Sequence, residues 1–123
     1  MEKYSDEELF ELWKNADKDD KNVGLIGYEL VKRGYLLDED EYNALDYYMQ
    51  ESKLYDSGLF IMQDEYGRDY FVDEDNNENL TLKEGLGIVY ESIVDDYVKE
   101  MPSTIKNGLK KVFKRVLDID LEV

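Results

Sequence analysis

The chain has 123 residues, 31 of them acidic against 15 basic, and a formal net charge of −16 with no histidine and no cysteine. Disulfides, thiolate chemistry, cysteine metal sites and histidine-based acid–base or metal chemistry are thereby excluded. Apolar residues make up 42% and aromatic residues 13%, with eleven tyrosines, which is enough apolar mass to fold as one acidic domain over residues 1–123 instead of staying disordered.

The first helix is signalled by Ser5 as N-cap, with Glu8 completing a capping box and Tyr4 and Leu9 in hydrophobic-staple positions. Leu9, Leu12, Trp13 and Ala16 then form an apolar stripe, and the polar run Asp17 to Asn22 ends the element. A second helix is expected from about Val23 to Arg33, burying Ile26, Leu30 and Val31, and Lys32-Arg33-Gly34 suits its negative end. A third begins after Asp38 as N-cap with Glu41 at N3. Its core face is Ala44, Leu45, Tyr48 and Met49, with Tyr55 beyond, and its outer face is Asp46, Tyr47, Gln50 and Glu51.

The pattern then changes to two short apolar runs, Leu59 to Met62 and Asp69 to Val72, separated by a turn containing Gly67; this predicts a β-hairpin near 59–72. After a polar loop, Asp73 to Asn79, a fourth helix is expected to reach Met101 and stop at Pro102, with Leu86, Val89, Tyr90, Ile93 and Tyr97 on one side. Gly85 and Gly87 weaken that helix and mark close packing. The fifth helix, about Thr104 to Val116, carries the stripe Ile105, Leu109, Val112, Phe113 and Val116. Residues Leu117 to Val123 alternate with period two, the pattern of a half-buried strand. The expected fold is α+β and mostly helical, about five helices with a hairpin, the C-terminal strand completing a small antiparallel sheet.

Asp73 to Glu84 resembles a twelve-residue EF-hand loop, with Asp73, Asp75 and Asn77 at positions 1, 3 and 5, Leu80 at position 8 and Glu84 at position 12. The resemblance implies calcium, a hard cation suited to these oxygens. Two departures oppose it. Glu78 stands where the sharp turn needs glycine, and the preceding segment reads as strand and turn. Thr81 with Glu84 also forms a capping box, which accounts for Glu84 with no ion.

Nothing in the sequence assembles a catalytic centre. Glu51-Ser52-Lys53 matches only the end of a nuclease-type signature, Asp118 and Asp120 fit a strand's polar face, and no phosphate loop or nucleophile elbow is present. The expectation is a protein that is not an enzyme and needs no cofactor, calcium being the one ion in play.

Charge is distributed unevenly. Residues 1–101 hold 28 acidic and 10 basic side chains, whereas 102–117 hold Lys106, Lys110, Lys111, Lys114 and Arg115 and no acid. A chain this acidic is repelled by nucleic acid and by anionic membranes, so direct binding to either is not expected. The basic helix is expected to lie against acidic neighbours. No apolar run opens the chain and none reaches membrane-spanning length, which with the lack of cysteine points to a cytoplasmic protein.

Carboxylates one helical turn apart have a spacing comparable with the charges of a nucleic-acid strand. The expected partner is therefore a basic protein, such as a nucleic-acid-binding enzyme, whose groove such ranks would block. The candidate ranks are Asp38, Glu39, Asp40, Glu41 and Asp46 with Tyr47 on the third helix and its entry, Glu91, Asp95 and Asp96 on the fourth, and a short one, Glu7 with Glu11, on the first. The composition is similar to that of small phage or mobile-element inhibitors of restriction or CRISPR enzymes, and to that of nuclease-toxin immunity proteins. Asp46-Tyr47-Tyr48-Met49 resembles the Tyr-Tyr-Pro element of colicin-type immunity proteins, with methionine in place of the proline. No diagnostic motif of either group is present. A general protein-interaction module, an immunity protein and a small calcium-binding domain are the alternative readings.

Overall fold

A computed structural model of the protein describes residues 3–17, 22–93 and 98–122. Its elements are α1 (Asp6–Asn15), α2 (Val23–Lys32), α3 (Glu39–Glu51), a 3-10 turn (Tyr55–Ser57), β1 (Leu59–Gln63), β2 (Asp69–Asp73), β3 (Glu78–Leu80), α4 (Leu82–Glu91) and α5 (Ser103–Leu117). The fold is α+β and mostly helical. Three helices start as the local sequence dictates, with complete capping boxes at Ser5/Glu8, Asp38/Glu41 and Thr81/Glu84.

The three strands form an antiparallel sheet in the order β1-β2-β3. Its first hairpin is the one expected. Asp64 shapes the tip, its Oδ1 accepting the N–H groups of Tyr66 and Arg68 at 2.9 Å. The third strand, however, is Glu78–Leu80, and the C-terminal segment 118–122 forms no strand. Asp118 turns left-handed at φ 56°, and the N–H of Ile119 returns to the Phe113 carbonyl. The tail thus leaves α5 through a Schellman-type cap. Its alternation still has a use, since Leu121 is buried in the core while Asp118 and Asp120 are exposed.

The main core lies where α3 and α5 pack together and where α4 covers β2, and it centres on Leu45, Tyr48, Phe71, Leu86, Leu109 and Phe113. Two glycines set these contacts. A Cβ at Gly85 would lie 2.0 Å from the Phe71 ring, and one at Gly108 would lie 2.5 Å from the Ala44 Cβ and 2.8 Å from the Asp40 carbonyl oxygen. Gly87 has open space around it, so the packing expected there is absent. The fourth helix also ends earlier than its apolar spacing implies. Ser92 caps it, its hydroxyl bonding the Val89 carbonyl at 2.6 Å and meeting the Tyr48 hydroxyl at 3.0 Å. Tyr97, expected on that helix, lies outside the described residues.

The helices α1 and α2 pair around a second, smaller core of Leu9, Phe10, Ile26, Leu30 and Leu36. Phe10, missing from the expected stripe, is buried, whereas Leu12 is exposed; the face turned inward is rotated toward Phe10 and Trp13. Trp13 closes the unit against the β1–β2 turn, where a Cβ at Gly67 would meet its Nε1 at 2.4 Å. The Arg68 guanidinium stacks 4.8 Å from the Phe10 ring centroid. No helix among the described residues is long and apolar enough to cross a membrane.

Candidate acidic interaction surface

The third helix runs thirteen residues, from Glu39 to Glu51, and contains no cation. Its inward side is Glu41, Ala44, Leu45, Tyr48 and Met49, as expected for the four apolar ones. The 3.6-residue repeat then places Glu39, Asn43, Asp46 and Gln50 in one outward row. Tyr42 and Tyr47 flank that row, 44% and 36% exposed. Tyr42 is an exposed aromatic of this face that sequence reasoning missed, although its spacing from Glu39 and Asp46 places it beside both. Within the row, Asp46 is held by the Tyr55 hydroxyl at 2.6 Å and the Gln50 amide at 2.9 Å. Burial first, and then the Asp46 carboxylate, raise the Tyr55 phenol well above its usual value.

Two of the expected rank residues are engaged elsewhere. Glu41 is 0% exposed and forms a two-pronged ion pair with Arg115 at 2.7 and 2.9 Å. It is not available to a partner. Arg115 also bonds the carbonyls of Val31 and Leu36, tying α5, α3 and the end of α2 together. Asp38 is half-buried, caps α3 and accepts the Lys111 ammonium. Burial alone pushes the Asp38 carboxyl up, but Lys111 and the Glu41 N–H outweigh it and hold it below the usual aspartate range. The basic helix does lie against acidic neighbours, since Lys114 likewise reaches Asp118 at 3.0 Å and Asp120 at 3.6 Å.

Every arginine of the chain is engaged in an ion pair within the chain. Arg33 pairs with Asp6 at 2.8 Å and Glu29 at 3.0 Å, and Arg68 with Asp64 at 2.7 Å. Glu39 and Asp40, by contrast, are exposed and make no ion pair among the described residues. Glu91 is exposed at the end of α4, beside Ser92, and Ser92 meets α3 at Tyr48. Tyr48 lies about 200° around the helix from Asp46, so Glu91 does not extend the Glu39–Asp46 row. Asp95 and Asp96 lie outside the described residues.

No family model, curated protein or solved structure matches this chain. Its surface has to be read from its own chemistry. The stretch resembling the immunity-protein element does not present a pair of tyrosines, because Tyr48 is buried and only Tyr47 faces outward.

The segment resembling a calcium loop spans the end of β2, a turn at 74–77, β3 and the start of α4. Asp73 faces Glu78 across the sheet, and Asn77 takes a left-handed φ of 53°. The Asp73 carboxylate is used within the turn, accepting the Asn76 side-chain amide at 2.7 Å. Glu84 is used too, accepting the Thr81 N–H at 3.0 Å in the capping box. Asp75 lies over Gly58, where its carboxyl oxygen would stand 3.1 Å from an added Cβ. Among the described residues no group of three or more acidic side chains is arranged to hold a metal.

A shallow groove of about 370 Å³ adjoins the start of α3. It is lined by Leu37, Asp38, Glu39 and Tyr42 on one side and by Ile61, Met62, Gln63 and Asp69 on the other. Asp69 accepts the Leu37 N–H at 2.7 Å. Burial raises its carboxyl above the usual value against that hydrogen bond, and nearby Asp64 adds to the rise. The groove is thus lined by the acidic groups Asp38, Glu39 and Asp69 together with the apolar Leu37, Ile61 and Met62.

Proposed function

We propose that this protein is a non-enzymatic acidic binding domain that inhibits a basic protein by occupying its nucleic-acid-binding surface. The observation that carries this reading is the outward face of α3: Glu39, Asp40, Asp46, Tyr42 and Tyr47 on a helix with no cation, in a chain whose arginines all serve internal ion pairs. Carboxylates steer a basic partner and exclude nucleic acid, while tyrosines supply contact area at low entropic cost. The absence of histidine and cysteine from the sequence supports a binding role over a catalytic one.

The test uses the immobilised chain and the Glu39→Lys/Asp40→Lys variant with extracts of its host. Wild type should retain basic nucleic-acid-binding proteins, release them as salt rises and release them to added duplex DNA. The variant should retain far less. Equal retention by the variant, or indifference to duplex DNA, would refute the reading.

A further inference from the structure

The edge of the sheet carries an inference that rests on this reading and names the form of the partner. In β1 the hydrogen-bonding phase is fixed at both ends: the Glu74 N–H reaches the Gly58 carbonyl, and the Asp64 N–H reaches the Arg68 carbonyl. With the register Phe60↔Val72 and Met62↔Tyr70, antiparallel alternation turns the main chain of Phe60 and Met62 toward β2. The N–H and C=O groups of Ile61 and Gln63 therefore point away from the sheet. Among the described residues nothing bonds them.

Sheet edges are ordinarily guarded by charge, proline, a bulge or shortness. The opposite edge follows that rule, since β3 has three residues and begins with Glu78. The β1 edge does not. Leu59-Phe60-Ile61-Met62-Gln63 has five residues and no charge, in a chain that is 37% charged. The groove beside α3 runs along this open edge, because it is lined from both faces of the strand, by Ile61 and Gln63 on one and Met62 on the other. Its far wall carries Asp38 and Glu39, with Asp69 at its base.

We propose that β1 is a docking edge for an extended, lysine- or arginine-bearing segment of the partner, which adds to the sheet as a fourth strand. Its main chain pairs with Ile61 and Gln63, and its alternate cationic side chains reach Glu39, the exposed carboxylate of the groove wall that makes no ion pair among the described residues. Charge selects this occupant over a second copy of the chain, since two molecules each of net charge −16 repel one another.

A short peptide alternating lysine and valine is the probe, followed by amide NMR and hydrogen exchange. Binding should slow exchange at Ile61 and Gln63, and methylating the peptide's alternate backbone nitrogens should weaken it about tenfold with its charge unchanged. Gln63→Pro, which removes one outward N–H at an edge position, should weaken binding similarly. The methylated peptide keeps the test decisive should that variant misfold. Equal affinity for plain and methylated peptides, or protection elsewhere than β1, overturns the strand pairing. If that binding still falls in Glu39→Lys/Asp40→Lys, the acidic-surface reading survives alone. A dimer of the free chain, with Ile61 and Gln63 already protected, also overturns the proposal.

Discussion

Arg115 is the side chain on which most separate elements depend, and its partner Glu41 has no contact with solvent. Truncating one member of such a pair leaves the other charge buried without compensation, at a cost of about 3–5 kcal/mol. Arg115→Ala should therefore lower the denaturant midpoint sharply, and Arg115→Lys should recover little, because an ammonium cannot span both carboxylate oxygens and two carbonyls. The glycines of α4 provide a matched pair. Gly85→Ala drives a methyl into the Phe71 ring and should cost about 1–3 kcal/mol, whereas Gly87→Ala meets open space and should stabilise by roughly 0.5–1 kcal/mol. Equal effects of the two substitutions on the unfolding midpoint would refute that assignment. Nothing local separates these residues in sequence, since the difference lies in which of them faces β2. Glu41 was opaque for a similar reason: the capping box with Asp38 already explained it, and its ion-pair partner is 74 residues away.

At the scale of elements, Asp69 joins β2 to the residues that lead into α3 through its bond to the Leu37 N–H. Its folded carboxyl titrates above the usual 3.8, so the native state favours the proton. Below 3.8 both states are protonated and ionisation costs nothing. The cost grows as pH rises from 3.8 through the raised folded value. Asp69→Asn keeps an acceptor for Leu37, so it should raise Tm at neutral pH, with the gain closing as pH falls toward 3.8. A gain that does not change with pH would contradict this. Elements whose causes are local were legible in the sequence: the caps at Ser5, Asp38 and Thr81, and the first hairpin, whose turn is marked by Gly67 at φ 81°. Elements defined by pairing were not. Period-two alternation in Leu117–Leu121 records which side chains are buried, and it says nothing of whether a strand edge lies alongside. The strand that does pair, Glu78-Asn79-Leu80, has neither length nor apolar alternation to announce it. Of the candidate surface, the exposed acids Glu39 and Asp40 and Tyr47 were readable from helical spacing, while Tyr42 and the open β1 edge required the fold.

At the scale of the molecule, stability is unevenly shared. The main core gathers fifteen buried residues among those described, and the α1–α2 pair gathers five. The smaller unit should open first, so amides near Leu9–Leu12 should exchange faster than those near Leu45–Met49. Uniform exchange across the two would contradict that. The whole chain also carries a net charge of −16, and its self-repulsion is screened by salt. Raising monovalent salt from low to physiological strength should therefore raise Tm, even though the same ions weaken the surface pairs. Trp13 offers a direct view of the first of these events. It is the chain's one tryptophan, packed against Gly27 of α2 and Gly67 of the hairpin turn, 3.0 and 2.4 Å from where their Cβ atoms would be. Its indole emission, excited apart from the tyrosines, should shift to the red as the helical pair lifts from the turn, ahead of any change in the rest of the protein. The joint between the two cores thus comes with its own optical gauge.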